Sequence, residues 1–277
     1  MKRYLKKIAN YLLTDRKVVH VDVNEITYGN LLKGKNIVIT GGGSGIGLAM
    51  AKKFVKEGAS VIIVGRNENK LKDACCNLGP QSSYVVFDIT QFNTYNDLFN
   101  TILSINPVIN AFICNAGLSL HEGGIENVTE EGYQSQMDVN LKANYFLCKK
   151  LVEYYKQKSL KALDILLISS ITSNQPYDLP YGMSKSALNS MVQKLNHKYY
   201  SNGIRVNAIA PGIIPTEITK DYVDVSDGNM FIDEPCGRYF LPSEIAEVAT
   251  FLLSGASKII GGEVINCDGG QTQKRIW

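Results

Sequence analysis

Two side chains at helical spacing suggest proton transfer. Tyr181 and Lys185 are four residues apart in a segment that Pro180 opens, so they lie on one face of a helix, one turn apart. A free tyrosine has a pKa of about 10 and transfers protons poorly at neutral pH. A neighbouring ammonium favours the phenolate and lowers that pKa, which brings the phenol nearer to the range of a general acid or base. Taken alone, the pair is also compatible with an ordinary helix surface.

A glycine-rich stretch is the second candidate site. Residues 40–47 read Thr-Gly-Gly-Gly-Ser-Gly-Ile-Gly, after the β-branched run 37–39 and before a helical segment that Gly58 ends. This succession favours a phosphate site, because glycines let the backbone approach a pyrophosphate and the free N–H groups of the first helical turn bind the anion. A plain turn is the alternative. The predicted cofactor contacts are Gly41, Gly43, Ser44, Gly45, Ile46 and Gly47.

The end of the second predicted strand bears on the choice of cofactor. It reads Gly65-Arg66-Asn67, where an NAD site would normally carry a carboxylate for the ribose 2′-hydroxyl. A guanidinium suits a 2′-phosphate instead, and Ser44 could add a hydroxyl contact to the same phosphate. The sequence therefore favours NADP(H) over NAD(H), with Arg66 and Asn67 as contacts. A surface arginine without this role is the alternative.

Two further strand ends complete the predicted cofactor cleft. Asp88 ends the third strand, where it could accept a hydrogen bond from the adenine amino group or cap the next helix. Ile89 follows it in the same cleft. The fourth strand ends in Asn115, Ala116 and Gly117, where small residues would let the backbone approach the cofactor.

The elements that must position these residues alternate along the chain. Strand candidates are 36–40, 60–64, 83–87, 109–114, 163–169, 204–210 and 262–267. Helix candidates are 46–57, 68–78, 94–105, 129–157, 181–201 and 242–254. This order predicts an α/β fold, a Rossmann-like doubly wound, mostly parallel seven-stranded sheet with helices on both faces.

A single catalytic domain is predicted over residues 34–277, because no internal repeat or linker interrupts the chain. Residues 1–33 form an N-terminal extension, in which Leu5, Ile8 and Leu12 share one helical face. Docking of that helix on the body is expected, and adsorption to a membrane surface is the alternative. The irregular stretch 211–241 is rich in acidic and aromatic residues, among them Tyr222, and is predicted to be a lid or binding loop.

Charge and cysteine content exclude several classes of function. The net charge of +3 is too small to indicate a nucleic-acid or membrane partner, and no apolar run is long enough to span a bilayer. The six cysteines form no CxxC pair and no metal-ligand spacing, so no metal site is predicted. The basic N-terminus lacks the apolar run of a secretory signal. We therefore expect a cytoplasmic protein without structural disulfides.

Taken in order, these motifs resemble those of the short-chain dehydrogenase/reductase family. The matching motifs are Thr-Gly-xxx-Gly-Ile-Gly at 40–47, Asn-Ala-Gly at 115–117, Val139-Asn140, Ser170, Tyr181-xxx-Lys185 and Pro211-Gly212. The resemblance covers about residues 31 to 270. It implies hydride transfer between a nicotinamide cofactor and a small-molecule carbonyl or alcohol substrate, in a homo-oligomer that is a dimer or a homotetramer.

The resemblance also implies a role for each matching residue. Tyr181 would be the general acid/base, and Lys185 would lower its pKa and bind the nicotinamide ribose. Ser170 would hold the substrate oxygen, and Asn140 would anchor a water that connects Lys185 to solvent. The residues that would pack around the nicotinamide or bond its amide or the pyrophosphate are Pro211, Gly212, Ile214 and Thr216.

The serine assignment has alternatives within the sequence. The segment from Ser170 to Tyr181 is a residue or two shorter than is common in the family, so Ser169 or Ser173 could take the role. Strand alternation makes Ser169 and Ser170 point oppositely, so only one of them can face the site, and we predict Ser170. Tyr177 lacks a lysine four residues on and is predicted to line the substrate pocket. The three histidines, His20, His121 and His197, have no partner pattern and are predicted to be structural or exposed.

Other functions remain open at this point. A 3-oxoacyl-thioester reductase of the same family and a non-catalytic NADP-sensing protein on the same fold are the alternatives, while the glycine spacing disfavours a sugar-nucleotide epimerase. The substrate is predicted to contact 118–126, 172–180 and 213–241. The acidic residues of the last segment argue against a strongly anionic substrate such as an acyl-carrier thioester.

Overall fold

The computed structural model describes residues 28–220, 223, 230–232 and 236–272. Within these residues seven strands form one sheet, in the order β3-β2-β1-β4-β5-β6-β7, and each neighbouring pair is parallel. The strands are β1 (Asn36–Thr40), β2 (Ser60–Gly65), β3 (Ser82–Val86), β4 (Ala111–Cys114), β5 (Leu163–Ile168), β6 (Ile204–Pro211) and β7 (Val264–Cys267). The predicted Rossmann-like sheet is confirmed, and it is parallel throughout.

Helices cover both faces of the sheet, as the doubly wound order requires. They are α1 (Gly45–Lys56), α2 (Glu68–Leu78), α3 (Tyr95–Ile105), α4 (Glu130–Met137), α5 (Ala143–Lys158), α6 (Pro180–Tyr199) and α7 (Pro242–Leu253). Within β1, Val38 packs with α3, α5 and α6 on one face, while Ile37 and Ile39 pack with α1, α2 and α7 on the other. The strands are buried on both sides, which explains their continuous apolar runs.

The predicted helix over 129–157 is not continuous. The five residues Asp138–Lys142 form a π-helical turn between α4 and α5, in which the backbone N–H of Ala143 donates to the carbonyl of Asp138. A π-helical turn accommodates one residue more than an α-helical turn and is frequently found at functional sites. Here it contains Asn140, whose side chain is fully buried. The other predicted helices and strands lie within two residues of their predicted bounds.

An ion network fastens the amino ends of β5 and β6 to the end of α7. Asp164 accepts from Nε of Arg205 at 3.0 Å and from Nζ of Lys35 at 2.9 Å. Arg205 also donates to the carbonyl of Leu252 at 2.6 Å. Every charge in this network has a partner, as partly buried ions require. The carboxyl edge of the sheet, where ligands bind in such folds, carries no part of it.

Several sequence predictions fall outside the described residues. These are the helical face of Leu5, Ile8 and Leu12, His20, Tyr222 and most of the acidic stretch between 221 and 235. The described part of the predicted extension lies on the body of the fold: Leu32 is fully buried, and its N–H donates to the carbonyl of Glu57 at 2.9 Å. Across the described segments, we find no helix with the length and apolarity needed to cross a membrane.

Candidate active site

A cleft of about 890 Å³ opens along the carboxyl edge of the sheet. The loops that follow the first six strands form its walls, so residues that are far apart in sequence meet there. Four predicted site residues, Gly43, Gly47, Asn67 and Asn140, are not among the residues that line the cleft. The predicted residues that line the cleft are Gly41, Ser44, Gly45, Ile46, Arg66, Asp88, Ile89, Asn115, Ala116, Gly117, Ser170, Tyr181, Lys185, Pro211, Gly212, Ile214 and Thr216.

The side chain of Asn115 holds the glycine loop in place by hydrogen bonds. Its side-chain amide donates to the carbonyls of Thr40 at 2.9 Å and Gly41 at 3.1 Å, which joins the end of β4 to the loop after β1. A Cβ at Gly47 would lie 2.6 Å from Asn115 Nδ2, so only glycine fits at that position. Gly41 needs glycine for another reason, because its φ is +65°. The loop geometry thus depends on contacts that the glycine spacing alone does not reveal.

The first turn of α1 points into the cleft without a side-chain cap. Ser44 is its N-cap residue, yet the serine side chain makes no capping hydrogen bond, and the turn contains no acidic residue. By contrast, Asn67 caps α2 by accepting from Lys70 N at 3.0 Å, and Thr129 caps α4. The backbone N–H groups at the start of α1 are therefore available to an anion such as a pyrophosphate.

At the far end of the cleft, Arg66 lies beside Asp88. The arginine side chain is 75% exposed, and its Nη1 is 3.9 Å from Asp88 Oδ2. The other carboxylate oxygen of Asp88 accepts from the backbone N–H of Thr90 at 2.9 Å and from its hydroxyl at 2.8 Å. Asp88 does not cap α3, whose N-cap residue is Thr94. The guanidinium is consequently held only loosely and can turn towards a ligand.

Tyr181 and Lys185 lie together at the centre of the cleft, one turn apart on α6. The Nζ of Lys185 is 5.5 Å from the centre of the Tyr181 ring and donates to the carbonyl of Ile168 at 2.9 Å. Burial lowers the pKa of Lys185 to about 8, because the side chain is almost completely removed from water.

The pKa of Tyr181 moves in the direction opposite to the sequence prediction. Lys185 was expected to lower it, yet burial raises the pKa of the phenol above its ordinary value. The hydroxyl of Ser170 opposes this shift by hydrogen bonding, and the nearby Tyr177 adds to it. The prediction was wrong for the protein alone, since the loss of hydration outweighs an amine that is turned towards Ile168.

The two adjacent serines both line the cleft, but their hydroxyls have different partners. The hydroxyl of Ser170 interacts with Tyr181 and accepts from the N–H of Thr172 at 3.3 Å. Ser169 instead donates to Asn189 Oδ1 on α6 at 2.7 Å. The amide of Asn189 in turn donates to the Ser173 hydroxyl at 2.8 Å, so Asn189 connects Ser169 to Ser173. Of the three candidates, the geometry brings Ser170 to Tyr181.

Asn140 holds the loop after β4. Its side-chain amide donates to the carbonyl of Leu118 at 2.7 Å, and its Oδ1 accepts from the N–H of the same residue at 2.9 Å. Its own carbonyl accepts from the Asn144 side chain at 2.7 Å. Gly117 lies between Asn140 and Lys185, because a Cβ there would be 3.4 Å from Asn140 Oδ1 and 3.7 Å from Lys185 Nζ. The side chain of Asn140 is therefore engaged with backbone, and it shapes the floor next to the lysine.

The chain after β6 closes the nicotinamide side of the predicted site. Ile214 is 3% exposed, and Thr216 Cγ2 would be 3.4 Å from a Cβ at Gly45, so this segment reaches the glycine loop. The hydroxyl of Thr219 anchors it by accepting from Thr216 N at 2.8 Å and donating to the Ile214 carbonyl at 2.7 Å. This anchoring serves to fix the position of Thr216 over the start of α1.

Two further residues line the cleft. The contact that His121 makes across it was not predicted, whereas the position of Tyr177 was. His121, predicted to be structural or exposed within the substrate segment 118–126, lines the cleft, and its Nε2 lies 2.6 Å from the carbonyl of Ile218. Its φ of +53° is unusual for a residue other than glycine. The available signal was its place just after Asn-Ala-Gly. Tyr177 lines the same cleft, as predicted, with its ring against Gly182, where a Cβ would lie 2.5 Å from Tyr177 Cγ.

Metal and disulfide chemistry find no support in the part of the chain that the structure describes. Within it, no cluster of three or more histidine, cysteine or acidic side chains could hold a metal ion. All six cysteines lie in that part and are free. Cys114 and Cys148 lie in the core, and their mutual hydrogen bond together with burial raises the pKa of Cys114.

Comparison with known proteins places this arrangement among reductases. The family model described as enoyl-(acyl carrier protein) reductase matches residues 41–272. The chain is 32% identical over 243 residues to the oxidoreductase asL5 of Sarocladium schorii, covering 87% of this chain and 97% of that protein. It is 32% identical over 249 residues to a 3-oxoacyl-(acyl-carrier-protein) reductase of Chlamydia muridarum, covering 87% and 98%. A crystal structure of a 3-ketoacyl-(acyl-carrier-protein) reductase from Brucella melitensis, complexed with NADH, has a TM-score of 0.80 and 28% identity and covers 87% of this chain and 99% of that one.

Proposed function

Since the chain belongs to the short-chain dehydrogenase/reductase family, as an oxidoreductase that acts on CH–OH groups with a nicotinamide cofactor, we propose that it is an NADP(H)-preferring enzyme that interconverts a ketone or aldehyde and an alcohol. The observation that carries the proposal is the meeting of Tyr181, Lys185 and Ser170 beside the uncapped start of α1. Proton transfer and dinucleotide binding can therefore take place in one cleft.

The cleft has the features that a dinucleotide requires. The bare first turn of α1 offers backbone N–H groups to the pyrophosphate, and the glycine loop leaves room for close approach. Thr216 lies over the same turn. When bound, the nicotinamide would supply the hydride to the substrate carbon in reduction and accept it in oxidation. The residues that would hold the cofactor are the predicted cofactor contacts that line the cleft, among them Gly41, Arg66, Ala116 and Thr216.

The protein's own contribution is proton transfer and polarisation. In reduction, Tyr181 would give its phenolic proton to the carbonyl oxygen while the carbon gains the hydride, so that the product is an alcohol and the oxidised cofactor. The hydroxyl of Ser170 would donate to the same oxygen and stabilise its developing charge. After Tyr181 has given up its proton, the Lys185 ammonium would stabilise the phenolate if it turned towards the phenol. The pKa of this lysine is near 8.

The preference for NADP(H) rests on the end of β2. Gly65 and Arg66 stand there in place of the carboxylate that would hold a ribose 2′-hydroxyl, and Arg66 is exposed and only weakly paired. A charge-assisted bond from a guanidinium to a 2′-phosphate is stronger than one between neutral groups. The Brucella neighbour was crystallised with NADH, so the two cofactors need to be compared directly on this chain.

Two matched variants test the proposal. Tyr181→Phe keeps the ring and its packing but removes the proton that the reaction needs. We expect NADPH-dependent reduction of a carbonyl panel to fall by about 10²–10⁴-fold, with NADPH binding unchanged. Tyr177→Phe, which alters the neighbouring cleft tyrosine, should retain turnover. Full activity in Tyr181→Phe would overturn the proposal, and so would the absence of turnover in the unaltered protein with every carbonyl and alcohol of the panel.

A 3-oxoacyl-thioester reductase is the second candidate, favoured by the names of the Chlamydia and Brucella relatives. It uses the same residues and differs only in the substrate. The predicted cytoplasmic location and the homo-oligomer, a dimer or homotetramer, also stay proposals. Reduced cysteines support the first, and size-exclusion chromatography with light scattering would test the second.

A further inference from the structure

The inner wall of the substrate side of the cleft is apolar and uncharged. Lys185 belongs to the proton-transfer site, and Arg66 and Asp88 line the cofactor side; apart from these, Glu217 of the rim is the only charged residue among those the structure describes that lines the cleft. Thr172 and Gln175 add uncharged polar groups beside Tyr177. The apolar residues of this wall are Leu118, Ile171, Leu179, Ile213 and Ile218. A wall of this kind offers no cation to a phosphate or carboxylate on the substrate.

The rim around this wall is acidic. Three segments, 118–131, 172–180 and 213–220, each contribute several residues to the cleft; in the first segment these lie between 118 and 123. Together they contain six acidic residues and a single lysine, whereas the whole chain has a net charge of +3. That lysine, Lys220, lies 3.9 Å from the Glu217 carboxylate. The acidic residues of the rim are Glu122, Glu126, Glu130, Glu131, Asp178 and Glu217.

The rim carboxylates are accessible and held near the mouth. Glu126, Glu130 and Glu131 are exposed. Glu130 and Glu131 begin α4, whose first turn packs on the cleft loop, since a Cβ at Gly132 would lie 3.2 Å from Leu120 Cδ1. Such a concentration of one sign of charge repels an approaching anion over roughly one Debye length, about 8 Å at physiological salt.

We propose that the substrate is an uncharged, mainly apolar carbonyl compound that reaches the site free in solution, and that the acidic rim discriminates against anionic carriers such as coenzyme A and acyl carrier protein. This inference rests on the proposed function, because it assigns the substrate of the same site. It separates this chain from the relatives whose names specify an acyl-carrier substrate. The apolar wall favours binding of the apolar part of the compound, and the carboxylates of the rim disfavour anionic compounds.

The test compares substrates that share a reacting group and differ in charge. Acetoacetyl-N-acetylcysteamine is neutral and acetoacetyl-coenzyme A is anionic; ethyl levulinate and levulinate form a second pair. We expect the neutral member to have a kcat/KM roughly tenfold or more higher at low salt, and the ratio to shrink as salt screens the rim. An anionic member that is used equally well, or a ratio independent of salt, would overturn the inference.

Charge-neutralising variants assign the effect to the rim. The triple change Glu126→Gln, Glu130→Gln and Glu131→Gln should raise kcat/KM for the anionic substrates several-fold and leave the neutral ones unchanged. Glu153→Gln, on α5 at the opposite edge of the sheet, is the matched control and should alter neither. No turnover of any substrate would instead refute the proposed function, whereas turnover with the wrong charge dependence refutes only this inference.

Discussion

The Nζ of Lys185 lies 5.5 Å from the centre of the Tyr181 ring but donates its hydrogen bond elsewhere, to the backbone. The lysine is 3% exposed, and burial brings its pKa down to about 8. The phenol beside it has a raised pKa for the same physical reason. In the protein alone, both groups are therefore shifted towards their uncharged forms.

The lowered pKa of Lys185 makes stability depend on pH in a defined window. An unfolded lysine keeps its proton up to about pH 10.5, whereas the folded one loses it from about pH 8. Between these values the unfolded state binds more protons, so the free energy of unfolding rises with pH. Lys185→Met removes this dependence. We expect its stability relative to the unaltered protein to be highest below pH 8 and to fall by about 3 kcal/mol towards pH 10.5.

Urea unfolding at several pH values measures this difference. Lys194→Met changes an exposed lysine of the same helix and should give a difference that does not vary with pH. If Lys185→Met gave the same flat difference, the buried amine would not titrate in this range.

The two neighbouring serines should respond differently to truncation. Ser170→Ala removes the hydroxyl that lowers the Tyr181 pKa and that, in the proposed mechanism, would donate to the substrate oxygen. We expect kcat to fall by about 10²–10³-fold. In the proposed mechanism the Tyr181 phenolate is the base in alcohol oxidation, so the rise of that rate with pH should move to higher pH.

Ser169→Ala is the matched control for that experiment. It breaks the bond to Asn189 and should lower the free energy of unfolding by about 1 kcal/mol without moving the pH profile. If the pH profile moved in Ser169→Ala and not in Ser170→Ala, the catalytic role would belong to Ser169.

Arg66→Ala should change cofactor selectivity. Loss of a charge-assisted bond costs about 1.5–3 kcal/mol, so the Kd for NADPH should rise roughly 10- to 100-fold while that for NADH changes little. Fluorescence titration with both cofactors measures the ratio. Lys72→Ala removes an exposed positive charge from α2 and should leave the ratio as it is. Equal losses for both cofactors in Arg66→Ala would show that the guanidinium does not read the 2′-phosphate.

Two glycines of the loop should differ in their tolerance of a methyl group. Gly47→Ala would force a Cβ to within 2.6 Å of Asn115 Nδ2 and disturb the hydrogen bonds by which Asn115 holds the loop. We expect a loss of about 1–3 kcal/mol in stability and weaker binding of both cofactors. In Gly43→Ala the Cβ meets Leu71 Cδ2 at an ordinary 3.4 Å, so stability should be nearly unchanged. Thermal unfolding with and without cofactor distinguishes the two.

The sequence predicts the sheet and the location of the site well, because both depend on local patterns. The β-branched runs and the helical spacing of Tyr181 and Lys185 are local signals, and the structure brings this pair into the cleft beside the glycine loop. The direction of the Tyr181 pKa shift is not such a signal. It depends on burial by residues distant in sequence, as does the bridge from His121 to Ile218.

The π-helical turn at Asp138–Lys142 changes the direction in which the side chains of α4 point relative to those of α5. Each residue of a regular helix advances by about 100°, so the additional residue rotates α4 relative to α5 by that angle. Asn140 can then reach the Leu118 backbone while Leu147 and Leu151 still meet the sheet. Deleting one residue there would leave a smoother helix in which either the asparagine or the leucines face the wrong way.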